Sequence, residues 1–179
     1  EFITDHKHLD FEKLMTSAFV SVFIPVMLSA FVRIIIEDLG RYYVLIPLMI
    51  PFVADAAALF VGMKFGKHKL APELSPKKTI EGAIGGLIGA VLACVIYGLV
   101  MLIFKLQVNF IVLVVYGLLG GVVSEIGDLS FSAIKRRYGI KDYGHILAGH
   151  GGIVDRFDSV IFAAPFIEML IFFIPALAL

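Results

Sequence analysis

The chain has 179 residues, 60% of them hydrophobic and 17% charged, and its mean hydropathy is +0.97. Soluble domains run near ~25% charged and ~45–50% apolar, so the composition excludes a soluble globular protein and, with apolar burial this plentiful, a disordered one. Basic and acidic residues number 15 each and cancel, which removes bulk charge as an argument for nucleic acid, and the single Cys94 excludes an internal disulfide framework or a cysteine-rich metal site.

The chain opens on Glu1 and a polar segment, residues 1–13, without the basic, apolar and small-residue succession of a signal peptide. Further residues are expected to precede it in the natural chain. A helix crossing ~30 Å of hydrocarbon needs about 20 mostly apolar residues. Leu14–Val32 is a charge-free run of that kind, and Tyr42–Met63 is a second, broken only by Asp55. Gly82–Phe104 and Leu106–Ser124 follow, and Ser159–Leu179 is a fifth, broken only by Glu168. None alternates apolar and polar residues as a barrel strand would. The predicted fold is all-α: a polytopic membrane helix bundle of about five transmembrane helices over residues 14–179, with no separate soluble domain and no internal repeat.

Two connections are strongly basic. One holds Lys64, Lys67, Lys69, Lys77 and Lys78, the other Lys135, Arg136, Arg137 and Lys141. Two helices separate them, so they share a face, and the positive-inside rule makes that face cytoplasmic. The outer connections, Arg33–Arg41 and Lys105–Asn109, are short and carry fewer positive charges. Gly82 and Gly86, Gly85 and Gly89, and Gly117 and Gly121 have the spacing that lets helix backbones approach closely, read as packing rather than as a dimer contact. Pro25, Pro47, Pro51 and Pro165 are tolerated in spans where neighbouring helices re-satisfy the freed carbonyls.

Ionisable groups at membrane depth are costly and mark function by default. Asp55 sits well inside the second span. The fourth helix is expected to run on through Lys135, which puts Glu125, Asp128, Ser132 and Lys135 on one helical face. That is a carboxylate stripe leading toward a cationic mouth. Asp155 and Asp158, at i and i+3, open the last helix, where the helix dipole favours negative groups, and Asp155 there is equally a capping residue. His150-Gly151-Gly152 precedes them, and paired glycines let a backbone come close to a phosphate, or make an ordinary turn. Carboxylate ligands without cysteine suit Mg²⁺ rather than zinc, and adjacent Lys and Arg suit phosphate oxygens. The pattern points to a metal–polyphosphate site at the cytoplasmic membrane surface. His6 and His8 read as part of a solvated tail, His68 and His145 as loop residues and Cys94 as packing. Glu168 is either protonated and buried against a neighbour or lines a cavity.

Ser132-Ala-Ile-Lys135-Arg136, then Lys141-Asp142-Tyr143-Gly144, then His150-Gly151-Gly152-Ile-Val-Asp155-Arg156-Phe-Asp158 resembles the signature of the phosphatidate cytidylyltransferases, or CDP-diacylglycerol synthases. A second block agrees: Asp55, Phe60-Val-Gly62, Gly66, Leu70-Ala-Pro72 and Ser75-Pro76-Lys77-Lys78-Thr79-Ile-Glu81-Gly82 with Gly85-Gly86. Two positions depart. Ala148 stands where the pattern has Pro, Gly or Ser, and Leu59 where Tyr is common. The chain is similar to the C-terminal two-thirds or so of such an enzyme.

The resemblance implies an integral membrane homodimer, of a bacterial inner membrane, whose cytoplasmic site joins CTP to phosphatidic acid with Mg²⁺ and releases CDP-diacylglycerol and pyrophosphate. It implies that Asp128 and Asp155 hold the divalent ion with Asp158 beside them or supporting them from behind, and that Lys77, Lys78, Lys135, Arg136 and Arg156 neutralise triphosphate and lipid phosphate. Asp55 and Glu81 orient those lysines or contribute to a second cation site. Ser75, Thr79, Lys141, Asp142, His150, Gly151 and Gly152 complete the substrate-binding set. The lipid phosphate is already ionised at neutral pH, which accounts for the lack of a Ser–His or Cys–His pair. Its head group is expected to enter a polar cavity between the second, fourth and fifth helices.

Rival readings are a CTP-dependent polyprenol kinase, which the Lys141–Asp158 signature argues against, and an ion-coupled transporter using Asp55, Asp128 and Glu168, which inverted repeats would support and the five spans do not show. The Asp-Gly…Ala-Arg motif of the CDP-alcohol phosphotransferases is absent.

Overall fold

The computed structural model describes residues 11–143 and 152–178. Its elements run α1 (Phe11–Leu28), α2 (Ala30–Ile36), α3 (Gly40–Tyr43), α4 (Ile46–Phe65), β1 (Lys69–Ala71), β2 (Ser75–Thr79), α5 (Ile80–Ile103), β3 (Gln107–Val108), α6 (Phe110–Arg137), α7 (Val154–Phe173) and β4 (Leu177–Ala178). Four helical stretches are long and apolar enough to cross a membrane: Leu14–Ile36, Gly40–Phe65, Ile80–Ile103 and Phe110–Arg137. The protein is an all-α polytopic membrane bundle with two short antiparallel ladders at its ends.

The helices follow from the apolar runs, and their limits follow from local chemistry. Thr79 caps α5, its hydroxyl accepting from Gly82 N at 3.1 Å. Asn109 caps α6 through Ile111 N and Val112 N. With 28 residues, α6 is about 42 Å long and outruns the hydrocarbon, so Lys135, Arg136 and Arg137 emerge on its last turn, as the carboxylate stripe required.

The fifth span corrects the expectation. It is a helix over Val154–Phe173, ending short of Leu179, and its Asp155, Arg156, Asp158 and Glu168 set it apart from the four apolar stretches. Packing resolves this. α7 touches α1, α2, α4 and α6, and Asp158, Ser159, Val160, Ala163, Ala164 and Ile167 are buried, so protein rather than lipid surrounds Asp158 and Ser159, while Arg156 is exposed on the first turn. After Phe173 the chain turns and β4 pairs with β3. Two core tyrosines hold this turn: Tyr116 donates to Ile174 O at 2.6 Å, and Leu177 N donates to Tyr43 Oη at 2.6 Å. Cys94 is a buried packing residue.

The glycine spacings serve packing within this chain. A Cβ on Gly86 would lie 2.9 Å from Ala54 O of α4, and one on Gly117 would lie 2.7 Å from Val91 Cα of α5. The obstacle at Gly117 is backbone, which no rotamer change relieves. Gly117→Ala is therefore expected to force α5 and α6 apart and cost about 1–3 kcal/mol. A detergent melting curve checks this, and an unchanged midpoint would show that the two helices part freely there.

Candidate active site

The first basic connection is a β-hairpin laid over the ends of α4 and α5. Glu81, in the first turn of α5, ties its base: the carboxylate accepts from Lys67 N at 3.1 Å and His68 N at 3.2 Å and meets His68 Nδ1 at 2.6 Å. Gly66 lets the hairpin sit close, since a Cβ there would fall 2.7 Å from Thr79 Cγ2. Along β2, Pro76 and Lys77 are exposed, while Lys78 turns inward, half-buried, beside the buried Thr79.

Lys78 meets the stripe on α6. Its ammonium lies 2.5 Å from Asp128 Oδ2 and 2.6 Å from Glu125 Oε1. Burial works against the charged amine, but Asp128 and Glu125 outweigh it and hold Lys78 above the ordinary lysine value. Ser132 Oγ donates to Asp128 Oδ1 at 3.3 Å.

One helical turn on, Lys135 forms a second group. It is buried, with Nζ 2.9 Å from Asp155 Oδ1 and 3.8 Å from Asp158 Oδ2. Asp155 also accepts from Tyr143 N at 2.8 Å and Gly152 N at 3.0 Å, which ties both residues to α7. Burial, with Asp155 and Asp158 nearby, pushes the Tyr143 phenol up to about 12, so it stays protonated and donates to Phe131 O at 3.1 Å. Asp158 accepts from Ser159 N at 2.8 Å, and Ser159 Oγ donates to Asp55 Oδ2 at 3.3 Å. Asp128 lies within electrostatic reach of Asp55 and of Asp158. The two lysine-bridged carboxylate pairs are thus halves of one charged layer across α4, α6, α7 and the hairpin.

A cavity of about 640 Å³ opens onto this layer, bordered by Asp55, Lys69, Lys77, Lys78, Glu125 and Asp128. It lies between α4, α5, α6 and the hairpin rather than between the second, fourth and fifth helices as expected, because the hairpin folds over the α4–α5 pair. Asp155 and Asp158 stand behind it on α7.

The remaining expected residues divide. Ser75 and Thr79 flank the lysines on β2, Thr79 as the helix cap. Glu81 orients the hairpin and touches neither Lys77 nor Lys78 in the described contacts. Asp55 meets Ser159 rather than a lysine. Arg136 donates to Leu74 O and Ile140 O, tying hairpin to α6. Arg156, on the first turn of α7, and Lys141 are exposed, and Asp142 is half-buried. His150 and Gly151, like His6, His8 and His145, lie outside the described residues. Sequence reasoning left out the contacts of Ser159 and Tyr143. Ser159 follows Asp158 directly and lies one turn from Asp155, which is the signal available for it.

Glu168 finds Arg33 of α2, with Nη2 2.6 Å from Oε2. The pair borders a second cavity of about 590 Å³ at the opposite end of the bundle. Of the two readings of Glu168, the cavity lining is the one met; its contact with Arg33 is a part-exposed ion pair rather than a buried one.

The donors fit a hard divalent ion in a particular way. Among the described residues no three carboxylates or imidazoles form a ready cage. Instead each carboxylate pair is neutralised by one ammonium. Mg²⁺ is commonly held by one or two carboxylates, with water and substrate phosphates completing its shell, and Asp128, Asp155 and Asp158 can supply that many.

The sequence pattern of the Cytidylyltransferase family matches residues 2–174. A phosphatidate cytidylyltransferase of Bacillus subtilis (strain 168) is 40% identical over 136 residues, covering 76% of this chain and 49% of that protein. A phosphatidate cytidylyltransferase of Staphylococcus aureus (strain COL) is 43% identical over 134 residues, covering 74% of this chain and 50% of its own length. One of Staphylococcus haemolyticus is 42% identical over 133 residues, with shares of 74% and 50%. The chain spans about half the length of the curated relatives it matches. Its helical membrane bundle, its charged layer and these matches lead to one assignment: the chain belongs to the Cytidylyltransferase family.

Proposed function

We propose that the protein is a phosphatidate cytidylyltransferase, joining CTP to phosphatidic acid in a bacterial inner membrane with its site on the cytoplasmic face. The observation that carries the reading is the cavity bordered by Lys69, Lys77, Lys78 and Asp128 at the membrane end of the bundle. It offers cations for two polyanions and carboxylates for their metal in one place. The basic hairpin and the basic end of α6 lie together, which supports the cytoplasmic orientation. The bacterial relatives support the choice of membrane.

In the reaction an oxygen of the lipid phosphate attacks the α-phosphorus of CTP. The new P–O bond forms as the bond to the β-phosphate breaks, and pyrophosphate leaves. The nucleophile is already ionised, so no residue has to remove its proton. Positioning and charge neutralisation are the protein's work. Lys77 and Lys78 meet phosphate oxygens at the cavity, and Lys135 holds Asp155 and Asp158 in place behind it. Mg²⁺ would be held by Asp128 with Asp155 or Asp158, and when bound it supplies polarisation of phosphate oxygens and neutralises the departing pyrophosphate. Acyl chains stay in lipid beside α4 and α5.

The test is product formation from labelled CTP and phosphatidic acid by the full-length protein in detergent micelles, with Mg²⁺ or with chelator. CDP-diacylglycerol and matching pyrophosphate are expected only with Mg²⁺. Intact CTP under both conditions would sink the reading, and transfer of the γ-phosphate to a polyprenol would replace it with the kinase.

A further inference from the structure

Lys78 does two jobs that cannot be done at once. Its ammonium sits on Asp128 Oδ2 at 2.5 Å and on Glu125 Oε1 at 2.6 Å, while Asp128 is the cavity carboxylate to which the proposed reaction assigns the divalent ion. A magnesium ion binds carboxylate oxygen at ~2.0–2.1 Å, inside the space the ammonium occupies. We infer that Lys78 is the resident cation of the ion-free site, giving up Asp128 when the ion binds, and that Glu125 is the positioning residue that keeps the released ammonium in the cavity to meet the CTP phosphates. This rests on the proposed function above.

Three features of the structure make the exchange workable. Lys78 comes from the hairpin, whose base Glu81 fixes, so the backbone stays in place while a flexible four-carbon stem moves. Glu125 precedes Asp128 by one helical turn, toward the middle of α6, where a bare carboxylate would be costly. It therefore holds Lys78 whether or not Asp128 does. Lys135, by contrast, is buried among Asp155, Asp158 and Tyr143 and borders no part of the cavity. Of the two bridging lysines, Lys78 is the one with somewhere to go.

The exchange is read on the substrate-free, full-length protein by Mn²⁺ binding, followed by electron paramagnetic resonance. Lys78→Met is expected to bind Mn²⁺ about tenfold tighter than the wild type, because a competitor is gone, and Glu125→Gln about tenfold weaker, because the lysine then leans on Asp128 alone. The double variant should bind at least as tightly as the wild type despite having lost a carboxylate. At saturating metal, Glu125→Gln should raise the KM for CTP several-fold with little change in kcat, and Glu125→Asp should restore part of it. Lys78→Gln replaces Lys78→Met if the latter does not melt like the wild type.

A double variant that binds Mn²⁺ more weakly than the wild type would make Glu125 a ligand of the ion and overturn the inference. So would affinities for all three variants within about twofold of the wild type. The proposed function fails separately, by a wild type that binds Mn²⁺ and makes no CDP-diacylglycerol.

Discussion

Asp128→Asn is expected to lower turnover of CTP and phosphatidic acid by roughly a thousandfold or more while leaving the melting midpoint near that of the wild type. The asymmetry comes from what the side chain touches. Asparagine has the same shape and keeps an oxygen to accept from Ser132 Oγ, which now donates to Asp128 Oδ1 at 3.3 Å. Lys78 keeps its contact with Glu125 at 2.6 Å, so no cation is stranded. What is lost is the negative charge at the cavity wall, and with it the oxygen donor for the divalent ion. Labelled-CTP turnover and a thermal melt on the same preparation check both halves. Near-normal turnover would remove Asp128 from the metal site, and loss of activity together with loss of fold would assign it to structure instead.

The parts of this site that could be read from the sequence are those set by one helix. The i, i+3, i+7, i+10 spacing from Glu125 to Lys135 needs only helical geometry, and α6 carries it as written. The hairpin was not legible. Ser-Pro-Lys-Lys-Thr has no apolar alternation, and its fold depends on Glu81 reaching back to His68, a contact between separate elements. Asp55 meeting Ser159 joins positions 104 apart in the chain, which no periodicity reveals. The same holds for Arg33, read as part of an outer connection, which supplies the partner of Glu168 from α2. Hydropathy alone carries the last helix on to Leu179, because Ile174–Leu179 is as apolar as the residues before it. What stops the helix is Pro175, beyond the Ile174 cap, and the two tyrosine contacts that hold the turn.

Among the substitutions of this layer, Lys135→Met is expected to cost the most stability. Lys135 is buried, and its ammonium is shared between Asp155 at 2.9 Å and Asp158 at 3.8 Å. Removing one partner of a buried ion pair leaves an uncompensated charge, at a cost of about 3–5 kcal/mol. The lower end of that range applies, because both carboxylates keep other donors: Tyr143 N and Gly152 N for Asp155, Ser159 N for Asp158. Lys78 cannot substitute, since it is held by Glu125 and Asp128. Lys135→Arg restores a cation and should recover most of the stability, but its planar fork does not reproduce a single point of charge between two carboxylates, so turnover should stay low. A melting series over wild type, Lys135→Met and Lys135→Arg separates these effects. If Lys135→Met melts with the wild type, Asp155 and Asp158 are neutral without it, and the buried layer carries less charge than its geometry requires.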